Sequence, residues 1–256
     1  MRETILSLLL TAACATADGG ESGQPRQLTS DPHQDGYAAW SPDGRFVVYT
    51  SVREGMERLW KVPAEGGSPV PVMEYRSHHA RFSPDGAYIA FDGEDGTLVQ
   101  IMPSAGGIPL RVVPESIPIE KSGNPCWSPD GTRIAFHSEY KLWSVHLPTG
   151  RTSVMFQREG DVPLPVHWLK KGNCIVTALF NREDKKADLW KISVDSRDAQ
   201  QLTFLGDVMH ARVSPDESLL VFSSRTSGNG DLWVMSVDGG KPVRLTSDPS
   251  HEFEAC

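Results

Sequence analysis

Short apolar runs of three or four residues recur along this chain, each bounded by turn-forming residues: 46–49, 88–91, 134–136, 175–178 and 219–222. Runs of that length are buried strands rather than helices. Each is followed by a second strand of similar composition: Leu59-Trp60-Lys61-Val62, Leu98-Val99-Gln100-Ile101, Leu142-Trp143-Ser144-Val145, Leu189-Trp190-Lys191-Ile192 and Leu232-Trp233-Val234-Met235. Glycine turns follow at Gly66-Gly67, Gly106-Gly107, Gly150 and Gly239-Gly240. Closing strands then end in Gln201-Leu202-Thr203 or Arg244-Leu245-Thr246. Strand, turn, strand, loop, strand, hairpin and strand make one blade of a β-propeller.

The turn before each apolar run carries one repeated phrase. It reads Trp40-Ser41-Pro42-Asp43-Gly44, Phe82-Ser83-Pro84-Asp85-Gly86, Trp127-Ser128-Pro129-Asp130-Gly131 and, altered, Val213-Ser214-Pro215-Asp216-Glu217. The first three serines are 42 and 45 residues apart and the next gap is 86, so a fifth copy belongs near residue 169. Trp168-Leu169-Lys170-Lys171-Gly172 stands there, keeping the aromatic and the turn glycine. The pattern predicts an all-β propeller of five four-stranded blades over 27–256, a single domain despite its length, with a period in the propeller range.

Proline presets φ at the first turn position, aspartate accepts N–H groups within the turn, and glycine takes the left-handed position. Asp43, Asp85, Asp130 and Asp216 are therefore expected as turn-formers rather than catalytic carboxylates. Glu217, where the pattern wants glycine, marks local strain or a reshaped turn. The once-per-blade tryptophans are expected to fill the space between sheets.

Composition narrows the partners. With 39% hydrophobic residues, 23 glycines and 19 prolines, the chain is turn-rich and globular. A formal net charge of −8 argues against nucleic acid or anionic lipid as partner. Lys170-Lys171 and Lys185-Lys186 read as solvated charge at turns.

Met1-Arg2 precedes a nine-residue apolar run, 5–13, too short to span a bilayer and suited to export. Two processing sites compete. Ala15-Thr16-Ala17 gives a signal peptide of residues 1–17; Thr11-Ala12-Ala13-Cys14 resembles a lipoprotein box ending at Ala13, with a lipid on Cys14 as the chain's link to a membrane. Residues 18–26 read as a flexible tether. Cys126, Cys174 and Cys256 are scattered and indicate neither a disulfide framework nor a structural zinc site. The sequence has no Gly-x-Ser-x-Gly elbow, complete His-Glu-x-x-His motif or Gly-rich phosphate loop, so no catalytic residue and no cofactor is assigned.

The repeated Trp-Ser-Pro-Asp-Gly, the Ser-x-Arg of Ser51-Val52-Arg53, the Leu-Trp strands, the Gly-Gly hairpins and the Arg-Leu-Thr ending resemble the TolB-type propeller repeat. The resemblance covers 27–256. It implies an exported or periplasmic propeller that binds a protein or peptide, as in six-bladed TolB of the cell envelope. TolB also carries an α/β domain before its propeller, and here the tether leads straight into blades. Similar blades gate prolyl-oligopeptidase-like peptidases, accompany amidohydrolases, and, in seven-bladed oligogalacturonate lyases, hold a divalent metal with histidines.

Three residues before each blade aromatic stand Tyr37, His79, Asn124, Pro165 and His210, with Glu254 in the same register. His79-Ala80-Arg81 and His210-Ala211-Arg212 match residue for residue. These positions belong where one blade passes into the inner strand of the next, at one mouth of the central channel. Tyr37, His79, Arg81, Asn124, His210, Arg212 and Glu254 are the candidate ligand-binding residues. Their imidazoles could hold a metal, His and Arg together could hold an anion, or all could serve to hydrogen-bond neighbouring loops.

Gln27-Leu28-Thr29-Ser30-Asp31-Pro32 and Arg244-Leu245-Thr246-Ser247-Asp248-Pro249 are the same part of the repeat, so five blades come with six closing segments. The expectation is a truncated ring of six or more blades.

Overall fold

The computed structural model describes residues 27–93 and 98–247. The export segment, the tether, Cys14, Glu254 and Cys256 lie outside them. Every regular element among the described residues is a β-strand, and the twenty strands form five four-stranded antiparallel sheets. The first blade holds β1 (Gln34–Trp40), β2 (Phe46–Arg53), β3 (Met56–Pro63) and β4 (Val70–Pro71). The second holds β5 (His78–Phe82), β6 (Tyr88–Gly93), β7 (Leu98–Pro103) and β8 (Leu110–Arg111). In the third are β9 (Gly123–Trp127), β10 (Arg133–Ser138), β11 (Lys141–His146) and β12 (Arg151–Gln157). The fourth has β13 (Asp161–Leu169), β14 (Cys174–Asn181), β15 (Ala187–Ser193) and β16 (Ala199–Gln201). The fifth has β17 (Met209–Val213), β18 (Leu219–Ser224), β19 (Asp231–Ser236) and β20 (Val243–Arg244). The hidden fourth copy is therefore a full blade, turning at 170–173.

The blades pack through their second strands. Successive side chains of a strand point to opposite faces, and in β2, β6, β10 and β14 both faces are buried. Val48 joins Ile89 and Phe91 between the first two blades, whereas its neighbour Val47 faces the other way. Ala90 joins Ile134 and Phe136, Ala135 joins Ile175, and Val176 joins Leu220 and Phe222. That two-sided burial is why these strands read as unbroken apolar runs rather than alternating ones. Burying one such phenylalanine or leucine is worth about 1.5–3 kcal/mol. Trp127 and Trp168 lie inside these layers, and Trp143 and Trp233 pack against them. Half-buried Trp60 is roofed by the guanidinium of Arg53 at 3.6 Å, which explains the Ser-x-Arg element.

The repeated turn is a hydrogen-bond device. The hydroxyls of Ser41, Ser83, Ser128 and Ser214 each donate to Oδ1 of the aspartate two residues on, at 2.6 Å. The same hydroxyls accept the backbone N–H of Phe46, Tyr88, Arg133 and Leu219 at 2.9–3.0 Å. Each aspartate also accepts the N–H two residues further on. The serine hydroxyl and backbone N–H groups hold the Asp43 and Asp216 carboxyls down to about 2. These four carboxylates are consumed by their turns.

Glu217 takes φ 58°, the conformation that Gly44, Gly86 and Gly131 take in the other copies. Its side chain crosses to the fourth blade, where its carboxylate accepts the Lys170 N–H at 3.0 Å and meets His167 Nε2 at 3.2 Å. The fourth blade's turn carries Lys170 where the other turns carry proline, so it has one more backbone N–H, and the fifth blade's glutamate accepts it.

Neighbouring inner strands contact one another from β1 to β5, β5 to β9, β9 to β13 and β13 to β17. The fifth blade is completed by its own β20, with Thr246 Oγ1 accepting the Leu232 N–H at 2.9 Å. Residues 27–33 join no sheet, and Leu28 packs against the outer face of the first blade.

Glu217→Ala keeps the strained φ and loses the cross-blade bonds, whereas Glu217→Gly loses the bonds and relieves the strain. Thermal unfolding is expected to show a drop of several degrees for the alanine variant and a clearly smaller one for glycine. Equal Tm values would refute this account of Glu217.

Candidate ligand site at the channel mouth

Each inner strand carries a bulge at the same place. Pairing jumps from Gly36↔Thr50 to Ala39↔Val48, from His78↔Asp92 to Arg81↔Ala90, from Gly123↔His137 to Cys126↔Ala135, and from Met209↔Ser223 to Arg212↔Val221. The first residue of each bulge is one of the candidate residues: Tyr37 at φ 54°, His79 at 54°, Asn124 at 52° and His210 at 50°. Non-glycine residues rarely take such angles, and each costs about 1–3 kcal/mol. A bulge re-aims a side chain, and here it turns a polar residue out of the layer between sheets. In the fourth blade the jump falls between Pro165 and His167. Proline's ring forbids positive φ, so Pro165 contributes no such side chain.

Three of the predicted residues converge. The Tyr37 ring stands edge-on to His79 at 4.3 Å and lies 5.8 Å from His210. Asn124 joins through a residue that the sequence reading missed, Asp92, whose Oδ1 accepts the Asn124 backbone N–H at 2.9 Å. Asp92 Oδ2 lies 2.7 Å from His79 Nδ1 and 3.2 Å from His78 Nδ1, and these two nitrogens are 2.8 Å apart. Asp92 is 2% exposed. Burial pushes its carboxyl up, but the hydrogen bonds and charges of His78 and His79 outweigh burial and hold it below the usual carboxylate range.

The third blade closes the back of this cluster. His137 Nδ1 donates to the Gly123 carbonyl at 2.9 Å, and burial pushes its pKa down. A Cβ on Gly123 would sit 2.9 Å from His137 Cε1 and 3.0 Å from Asp92 Oδ2. Only glycine lets β9 approach this closely.

Arg81 and Arg212 share one local conformation. Each guanidinium folds back to donate to the carbonyl of the preceding alanine, at 2.8 and 2.9 Å. Asp92, His78, Gly123 and His137 were the residues missed. The available signal was an aspartate ending the apolar run Tyr88-Ile89-Ala90-Phe91, at the position that Thr50, His137, Ala178 and Ser223 hold in the other blades.

Gly123→Ala is expected to lower Tm by several degrees, because β9 must retreat from two buried side chains; an unchanged Tm would contradict the close packing. Burial also lowers the pKa of His167, with Glu217 opposing. A histidine whose folded pKa lies below its unfolded value of about 6.5 gives stability that is present above 6.5 and lost as pH falls toward the folded value. Tm should therefore fall between pH 7 and 5, with a flatter profile in the His137→Gln/His167→Gln double variant. Parallel profiles would rule these histidines out as the source.

No protein-family model matches the chain. It is 28% identical over 212 residues to an uncharacterized peptidase of Bacillus subtilis, YuxL, covering 75% of this chain and 30% of that protein. It is 33% identical over 91 residues to the Tol-Pal system protein TolB of an Anaeromyxobacter, covering 35% of this chain and 20% of that one. The chain thus spans less than half the length of the curated relatives it matches. Among solved structures, a candidate TolB from Agrobacterium tumefaciens superimposes with a TM-score of 0.72 at 22% identity, covering 87% of this chain and 84% of that one. An oligogalacturonate lyase in complex with manganese gives 0.52 at 15% identity, over 80% and 74%. The fold of this chain is a TolB-like β-propeller.

Proposed function

We propose that this chain is an exported propeller of the bacterial cell envelope that binds a protein or peptide at its channel mouth. The observation that carries this reading is the cluster of Tyr37, His79 and His210, presented on strained bulges of three different blades. Aromatic and imidazole rings held at fixed angles suit the capture of an extended segment, and strain of this kind gathers at binding sites. The similarity to the Tol-Pal system protein TolB and the apolar run 5–13 support the envelope setting. Either a free start after Ala17 or a lipid on Cys14 fits this role.

A second reading makes these blades the propeller portion of a larger peptidase. It is favoured by the match to YuxL, of which this chain covers 30%. In that case the channel mouth would admit substrate to a catalytic domain rather than dock a standing partner. A metal-dependent, carbohydrate-active role is a third reading, favoured by the lyase likeness and the histidine cluster.

The test is site-directed photocrosslinking in a Gram-negative host, with a crosslinking residue in place of Tyr37 and, as control, in place of Val70 on an outer edge. Discrete protein adducts at position 37, lost in His210→Ala with Tm little changed, are the expected result. Adducts of equal yield at both positions would refute a channel-mouth partner. Intact-mass analysis should show a mature start at residue 14 or 18, and unprocessed protein under conditions that export control proteins would refute the envelope setting.

A further inference from the structure

We infer that His78 Nδ1, His79 Nδ1 and Asp92 Oδ2 form a three-ligand site for a divalent first-row transition-metal ion. The inference does not depend on what partner the channel mouth binds.

The first argument is proton placement. Each imidazole Nδ1 carries either one in-plane N–H or one in-plane lone pair. With both protonated, two N–H groups face each other across 2.8 Å. With either one unprotonated, its lone pair faces the ionised Asp92 oxygen, at 2.7 Å for His79 or 3.2 Å for His78. With Asp92 ionised, every placement of protons on these two nitrogens leaves one repulsive contact. A single cation between the three atoms removes all of them.

The second argument is shape. The three ligand atoms form a triangle with edges of 2.7, 2.8 and 3.2 Å. At metal–ligand distances of about 2.1 Å, two ligands of an octahedron lie roughly 3.0 Å apart and two of a tetrahedron roughly 3.4 Å. The triangle fits one face of an octahedron. Two imidazoles and a carboxylate on one face leave the opposite face open, and this donor set favours Mn²⁺, Fe²⁺ or Co²⁺ over the all-oxygen preference of Mg²⁺ and Ca²⁺.

The surroundings hold this geometry. The Asn124 N–H occupies Asp92 Oδ1 and leaves Oδ2 for the ion, the kind of outer contact that orients a ligand. Tyr37 fixes the His79 ring edge-on, and the His79 bulge at φ 54° turns that side chain toward its neighbour. The histidine side chains are 19% and 18% exposed, so solvent reaches them while the carboxylate stays buried.

The test uses the purified mature chain, stripped with chelator and titrated with Co²⁺ alone. Visible absorption of six-coordinate character, saturating at one Co²⁺ per chain, is expected, with a rise in Tm. His78→Gln and His79→Gln should each weaken binding at least ten-fold. His137→Gln, which alters the neighbouring imidazole outside the triangle, should leave it within about two-fold. Circular dichroism of each variant establishes that it is folded, and Mn²⁺ calorimetry repeats the comparison by a second readout. The absence of saturable binding at millimolar Co²⁺ would overturn the inference. So would binding that survives in the His78→Gln/His79→Gln double variant, or binding lost as fully in His137→Gln.

Discussion

The structure depends on the face-to-face packing of one blade's second strand against the next. Because the second strands of the first four blades are buried on both sides, consecutive residues serve different interfaces: Ile89 packs toward the first blade and Ala90 toward the third. A one-residue slip in such a strand would exchange its two layers rather than expose one. The register must therefore be held from outside the strand. The Ser-Pro-Asp turn does this by tying the strand's first N–H to the serine hydroxyl. The fourth blade lacks that turn, and its Lys170 N–H, at the position of the turn proline, is accepted by Glu217 of the fifth.

With the sheets locked this way, the inner strands are free to carry strain. Four of them place a non-glycine residue in the left-handed region at the same register position. Its cost falls on a scaffold whose stability comes from the inter-blade layers, so the strained residues can differ from blade to blade without disturbing the fold. Tyrosine, histidine and asparagine at equivalent places make a site with no repeat symmetry of its own, on a frame that is nearly symmetric.

This separation explains why the fold says little about function. Similar propellers occur in proteins with quite different names, and fold alone does not carry activity. The chemistry of this chain gathers on the inner-strand bulges, where, among the described residues, the second blade pairs two adjacent histidines with a buried aspartate.

The amino-acid sequence by itself determined the architecture. Turn phrases, apolar runs and their spacing placed all five blades, including the altered fourth, because these features are local and repeat in phase. It also located the bulge residues as a register, since Tyr37, His79, Asn124 and His210 stand at one offset from the blade aromatic. Only the tertiary structure decided which of them meet. Tyr37, His79 and His210 come together from three blades, and Asp92 and Gly123, 31 residues apart on different blades, close on one another. The reason is physical: repetition along a chain encodes local conformation, but contact between blades depends on how sheets stack around an axis, and no single repeat contains that information.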